Sequence, residues 1–142
     1  MIAKQFEFNT DCYQQSLLLR ERILRKPLGL MLTAQDVNKE DKQLHFGLFE
    51  KHTLLACVLF KPINSSVIKL RQMAVDESLQ GQGLGRKLIQ FAEKNVKGLG
   101  FDEIEMAARD SAIKFYQHLG YQTTGEIFEQ AGVPHIKMYK MI

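Results

Sequence analysis

The sequence predicts an α/β fold: a mixed, mainly antiparallel sheet with a central βαβ unit and flanking helices. Three observations carry this. Apolar or alternating runs at 44–49, 54–60 and 67–75 are joined by short turns, as in an antiparallel meander. The third run leads through a glycine-rich turn into a helix on which Leu84, Leu88, Ala92 and Val96 recur at every fourth position. Another strand follows that helix within a few residues, which makes a strand–helix–strand crossover. The chain of 142 residues suits one domain, 1–142, around one core.

Each element has its own signal. Ile2 to Phe8 reads as a first strand. Thr10 or Asp11 can cap a helix that runs to about Arg25, with Tyr13, Leu17, Ile23 and Leu24 among its apolar positions. Arg20, Arg22, Arg25 and Lys26 crowd its end; the cluster could bind a phosphate, but cations complement a helix C-terminus, and the stronger reading of such a charge run is a solvated face. Pro27 and Gly29 stop the helix. Residues 33–43 are polar and read as a loop. Leu44, Phe46 and Leu48 alternate with His45, Gly47 and Phe49, which marks a strand. Leu54 to Phe60 is continuously apolar, as in a central strand covered on both faces. Pro62 ends it, and Asn64-Ser65-Ser66 turns the chain.

After the strand Val67–Val75, the glycine helix ends at Gly98 or Gly100. Asp102 to Ala108 is a strand in which Glu105 is an unexpected charge, sharing its side with Ala107 and Arg109. Asp110 or Ser111 caps a short helix through Leu119, with Gly120 at its C′ position. Tyr121 to Phe128 and Pro134 to Met141 are the last strands. Their edges can pair between subunits, so a homodimer is one expected assembly.

Bulk properties exclude several function classes. Nineteen Lys and Arg against sixteen Asp and Glu give a mild +3, which fits an anionic small ligand. Nucleic-acid binding is not expected, because no recognition motif or aromatic–basic stripe accompanies the charge. No run of about 18 apolar residues exists, so no membrane span is expected. Glu7 and Asp11 fall where a signal peptide would be apolar. Cys12 and Cys57 show neither metal nor redox spacing, and a reducing, cytoplasmic setting follows as the default, with no metal site.

The richest stretch is Leu70–Arg86, where Gly81, Gly83 and Gly85 separate strand from helix. Glycines let ligand oxygens approach backbone N–H groups, and the first N–H groups of a helix are unpaired at its positive end. A phosphate or pyrophosphate suits such a place. A Walker loop would need Gly-x-x-x-x-Gly-Lys-Ser/Thr, which is absent. A dinucleotide fingerprint would need a third glycine where Arg86 stands, and would open its domain with the βαβ unit. Gln/Arg-x-x-Gly-x-Gly/Ala is matched by Gln80, Gly83 and Gly85.

That hexapeptide resembles the coenzyme A pyrophosphate loop of the GNAT superfamily of N-acetyltransferases. A second match lies one helix and one strand later: Ala112, Tyr116, Gly120 and Tyr121 occupy the superfamily's Ala-x-x-x-Tyr-x-x-x-Gly-Phe/Tyr signature. The segments Leu24–Gly29 and Gly132–Met138 look like those of a subgroup of small bacterial members, so the resemblance covers nearly the whole chain.

The resemblance implies a GNAT-like fold and transfer of an acetyl group from acetyl-CoA to a primary amine of a small molecule or protein, by direct attack. The same fold can instead serve as a non-catalytic coenzyme A-binding or interaction module. The backbone of Met73, Ala74 and Val75 would pair with the pantetheine arm, because an unpaired strand segment offers N–H and C=O groups to an extended amide chain. Gln80, Gly81, Gln82, Gly83, Leu84, Gly85 and Arg86 would hold the pyrophosphate. Tyr116 matches the family's general acid, which would protonate the leaving thiolate. Candidates for the base are His135, whose residue type titrates near neutrality, and the carboxylate of Glu126; Glu129 and His45 are further candidates. Relatives in the subgroup often carry His where this chain has Ala107, so the acceptor side is where it departs from them.

Overall fold

The structure, a computed structural model, describes residues 1–142. Seven strands and three helices follow in order: β1 (Ile2–Phe6), α1 (Asp11–Arg20), β2 (Leu44–Glu50), β3 (Thr53–Pro62), β4 (Val67–Val75), α2 (Leu84–Gly98), β5 (Glu103–Arg109), α3 (Ile113–His118), β6 (Gln122–Gln130) and β7 (Val133–Met141). The strands make one sheet in the order β1-β2-β3-β4-β5-β7-β6. All neighbours are antiparallel except β4 and β5, which the α2 crossover joins in parallel. The expected mixed sheet with a central βαβ unit is therefore present.

Helices cover the two faces unequally. The i+4 stripe of α2 buries Leu88, Ile89, Ala92 and Val96 against Phe46, Ile68, Ile104 and Met138 in the larger core. On the opposite face, Tyr13 and Leu19 of α1 pack with Phe6, Phe49, Leu54 and Cys57. Both faces of β2 are thus covered. Its alternation marks a strand correctly, yet His45 and Phe49 are as buried as Phe46 and Leu48.

Several boundaries differ from the sequence reading. α1 starts at a Thr10 cap and then loosens into a π-turn over Glu21–Arg25 and a 3-10 turn over Lys26–Leu28, closed by Gly29 at φ 72°. Pro62 is the last residue of β3 rather than a stop beyond it. A 3-10 turn, Asp110–Ala112, precedes α3, and no side chain caps either segment. The charge run at the end of α1 is not a uniformly solvated face: Arg20 is wholly buried.

Two irregularities of β4 shape the molecule's cleft. β4 pairs with β5 only over Val67–Lys69 against Glu103–Glu105, after which the strands splay. On its other edge Cys57 opposes Ala74 and Leu59 opposes Arg71, so Gln72 and Met73 bulge opposite Val58. Gln72 takes φ 48°, a left-handed conformation costly for a side chain of its kind.

Candidate active site

The splay leaves the backbone from Leu70 to Val75 unpaired on its β5 side. Two cavities open there. One, of about 550 Å³, runs from Met73 and Val75 over the glycine turn to α3. The other, of about 280 Å³, lies between β4, β5, the π-turn and the β6–β7 turn. Met73, Ala112 and Tyr116 line both. The cavities are therefore two arms of one cleft that meet at Tyr116.

The larger arm has the features of an anion cradle. Gly81 and Gly83 take φ 80° and 79°, left-handed values that glycine adopts without strain. Gly83 is the N-cap of α2 and supplies no side-chain cap, and no acidic residue occupies the first turn. The leading N–H groups consequently face the cavity without an internal competitor. A Cβ on Gly85 would stand 3.0 Å from Met73 Cε and 3.2 Å from Phe115 Cζ, so glycine allows α2 to approach β4 and α3 closely. The Gln80 side-chain amide donates to the Val75 carbonyl at 3.1 Å and folds the turn against the strand end.

Of the ten residues expected to bind the cosubstrate, Met73, Val75, Gln80, Gly81, Gly83, Leu84, Gly85 and Arg86 line this arm. Ala74 and Gln82 do not. Ala74 turns its side chain to the opposite face of the sheet, into the α1 core, so only its backbone borders the splay. Gln82 is exposed outside the lining.

Tyr116 is buried, with its ring edge-on to Phe115 and Tyr121. Burial alone pushes its phenol well above the ordinary range, so it stays protonated. Tyr121 holds the neighbouring end of the signature, its hydroxyl donating to Glu93 of α2 at 2.8 Å. Gly120 takes φ 94°, which lets the chain leave α3 for β6.

The smaller arm is mainly cationic. Arg25, Lys69, Arg71 and Arg109 line it, against the single carboxylate of Asp36. Arg71 is committed: it donates to Glu40 at 3.2 Å, Gln43 at 2.7 Å and the Asp36 carbonyl at 2.7 Å. Arg109 donates to the Leu24 carbonyl at 2.6 Å. The sequence marks Arg109 only as a neighbour of Glu105 and Arg25 only as part of a basic cluster; Lys69, Arg71 and Asp36 it does not single out. The signal was present in β4, where Lys69 and Arg71 alternate with Ile68 and Leu70 and thus place two charges on one face of a central strand.

The base candidates separate clearly. His135 lines the smaller arm and is buried; its Nδ1–H donates to the Val133 carbonyl at 2.9 Å, leaving the Nε2 lone pair as an acceptor. Glu126 and Glu129 are exposed on the edge strand β6 and line neither arm. His45 sits among Phe6, Phe8 and Tyr13 and lines neither arm, with Nε2–H donating to the Glu40 carbonyl. Glu105 is half-buried and pairs with Lys137 at 3.3 Å, which accounts for a charge in this central strand. No three His, Cys, Asp or Glu side chains converge as a metal-ligating group.

Comparison with known proteins decides the family. The family model described as an acetyltransferase (GNAT) domain matches residues 29–142. This chain belongs to the GNAT acetyltransferase family. It is 29% identical over 143 aligned positions to YitI, an uncharacterised N-acetyltransferase of Bacillus subtilis strain 168, covering 96% of each chain. The crystal structure of a putative N-acetyltransferase from Lactobacillus plantarum superposes on this GNAT chain with a TM-score of 0.88 over 99% of both chains at 21% identity. A GNAT family acetyltransferase from Elizabethkingia anophelis, solved with acetyl-CoA bound, superposes with a TM-score of 0.77 over 99% of this chain and 97% of its own at 14% identity. No helix of this GNAT chain is long and apolar enough to cross a membrane.

Proposed function

We propose that the protein is an acetyl-CoA-dependent N-acetyltransferase that acetylates a primary amine by direct attack. The observation that carries this is the single cleft, one arm shaped for coenzyme A and the other for an acceptor, with Tyr116 at the junction. The unpaired β4 edge takes the extended pantetheine, and the α2 N-terminus with Arg86 takes the pyrophosphate. A backbone N–H at Met73–Val75 stabilises the thioester oxygen as it becomes an oxyanion.

The amine nitrogen attacks the thioester carbonyl carbon. The C–N bond forms, the C–S bond breaks, and the electron pair leaves on sulfur. Tyr116 gives its proton to that sulfur. Its raised pKa keeps the proton on the phenol until the thiolate, a stronger base than the thioester, is there to take it. A lysine-like amine has a pKa of about 10.4 and must arrive neutral. His135, with Nε2 available as an acceptor, is the group that the geometry supports for receiving the amine proton. Glu126, on the far edge strand, would need the sheet edge to move. The unpaired Cys12 and Cys57 fit a cytoplasmic setting.

Incubation with acetyl-CoA and a panel of amines, followed by thiol release and mass spectrometry of the products, tests this reading. Amine-dependent thiol release with an acetylated product is the expected result. Tight coenzyme A binding without such release across the panel would favour a non-catalytic binding module.

A further inference from the structure

The smaller arm has an electrostatic character that the transfer chemistry does not require. An amine acceptor is ordinarily a cation at neutral pH, and a site that collects such a cation would be expected to offer carboxylates. Here the balance is reversed. The lining cations are Arg25, Lys69, Arg71 and Arg109, and Asp36 is the one lining carboxylate. Glu40, the acid that Arg71 contacts, is fully buried and already shared between Arg20 and Arg71. Glu105, the register partner of Lys69 on β5, is paired with Lys137.

The four cations are not equivalent. Arg71 is committed to Glu40, Gln43 and the Asp36 carbonyl. Arg25 reaches Asp36 at 3.4 Å. Lys69 and Arg109 differ, because neither has an acidic side chain within ion-pair distance. Arg109 uses one N–H on the Leu24 carbonyl and keeps the rest of its donor fork. Burial, then the charges of Arg71 and Lys61, lower the Lys69 pKa; burial, then Arg25, lower that of Arg109. Lys69 thus lies among like charges with only Glu105, itself shared with Lys137, opposite it, and Arg109 lies near Arg25, so the half-buried arm carries an excess of cations that an incoming anion relieves.

We propose that the acceptor is a small amine bearing an anionic group, a carboxylate or a phosphate, received by Lys69 and Arg109. This rests on the transferase reading above and names its substrate class. The guanidinium fork of Arg109 matches two oxygens of either anion, and Lys69 adds a point charge to the same lining. The cavity of about 280 Å³ is at the lower end for small-molecule sites, so the part of the acceptor that enters is short. The same positive field disfavours an ammonium and favours the neutral amine that must attack. One set of cations therefore holds the acceptor's tail and prepares its head.

Matched amine pairs test this: phosphoethanolamine against ethanolamine, β-alanine against propylamine, and spermidine as the cationic extreme, each with acetyl-CoA. An anionic member should exceed its neutral partner by at least about tenfold in kcat/KM, because a charge-assisted pair in a half-buried site contributes at least one such factor. The first pair responding alone identifies phosphate, the second alone carboxylate. Lys69→Ala and Arg109→Ala should bring the ratio within a pair toward one, whereas a purely structural role would lower both members alike. Turnover that prefers spermidine or the neutral partners, or ratios indifferent to both substitutions, overturns the proposal and leaves the transferase reading standing. If no amine is turned over, calorimetry of phosphoethanolamine and of β-alanine with the coenzyme A-saturated protein decides. Binding of either, lost in Arg109→Ala, supports the anion site while the transferase reading fails; binding of neither overturns both.

Discussion

Arg20 Nη1 donates to the side-chain oxygen of Gln72 at 2.7 Å, joining α1 to the one residue of β4 that takes a left-handed conformation. The same guanidinium holds Glu40 through both oxygens at 2.8 Å, and Tyr13 donates to Glu40 at 2.7 Å. Burial alone would raise the Glu40 carboxyl, but the hydrogen bond and charge of Arg20, the Tyr13 hydrogen bond and the charge of Arg71 together outweigh that and hold it below the usual carboxylate range. Burial, then the Glu40 hydrogen bond, push the Tyr13 phenol up to about 12. The network lies directly beneath the bulge that delivers Met73 to both arms of the cleft.

Removing one partner of a buried pair strands the other. Arg20→Met should therefore lower stability by about 3 kcal/mol, read as a reduced midpoint in urea with little change in slope. Because Gln72 loses its anchor, the Kd for acetyl-CoA should rise in the same variant. A loss below about 1 kcal/mol would mean that Arg71 alone satisfies Glu40.

His45 gives a pH dependence with a definite sign. Burial lowers its pKa below the ordinary 6.5, and its Nδ1 has no hydrogen-bond partner. The unfolded chain therefore binds this proton more readily than the folded one. Stability from this group is complete above about pH 6.5 and declines as pH falls below that value toward the folded-state pKa. The decline starts well above the pH at which carboxylates such as Glu40 begin to take up protons. Thermal midpoints from pH 7.5 to 5 should fall in the native protein, and the slope between pH 6.5 and 5 should flatten in His45→Phe.

Two glycines should fail differently. A Cβ on Gly47 would stand 2.6 Å from Leu54 Cδ1 and 2.8 Å from Phe49 Cε1 in the core, so Gly47→Ala should cost about 1–3 kcal/mol by overpacking. Gly83 has open space around it but a left-handed backbone. Gly83→Ala should distort the cradle, with acetyl-CoA affinity falling roughly tenfold or more and a stability loss of about 1 kcal/mol. Calorimetry and urea unfolding on both variants separate the two effects.

The glycine cradle of the larger arm was legible in the sequence, while most of the smaller arm was not. Gln80-x-x-Gly83-x-Gly85 and the Ala112–Tyr121 signature are local patterns, and a backbone cradle depends only on local geometry. The acceptor arm is assembled from Arg25, Asp36, Lys69, Arg109 and His135, five residues spread over 111 positions of the chain (Arg25 to His135) and joined only by tertiary structure. Arg20 misled for a related reason. At the head of a basic run it looks solvated, and only Glu40, twenty residues away across an irregular loop, explains its burial. The β4–β5 splay and the Gln72 bulge are likewise properties of pairing between strands, which composition does not reveal.

Tyr116 is where the two arms meet, and replacing its hydroxyl tests the account most directly. Acetyl transfer should be followed under single-turnover conditions in the native protein and in Tyr116→Phe, with acetyl-CoA affinity measured in parallel. The account predicts an unchanged Kd and a transfer rate lowered by roughly ten- to a thousandfold. An equal rate in the two proteins, with chemistry limiting, would contradict it.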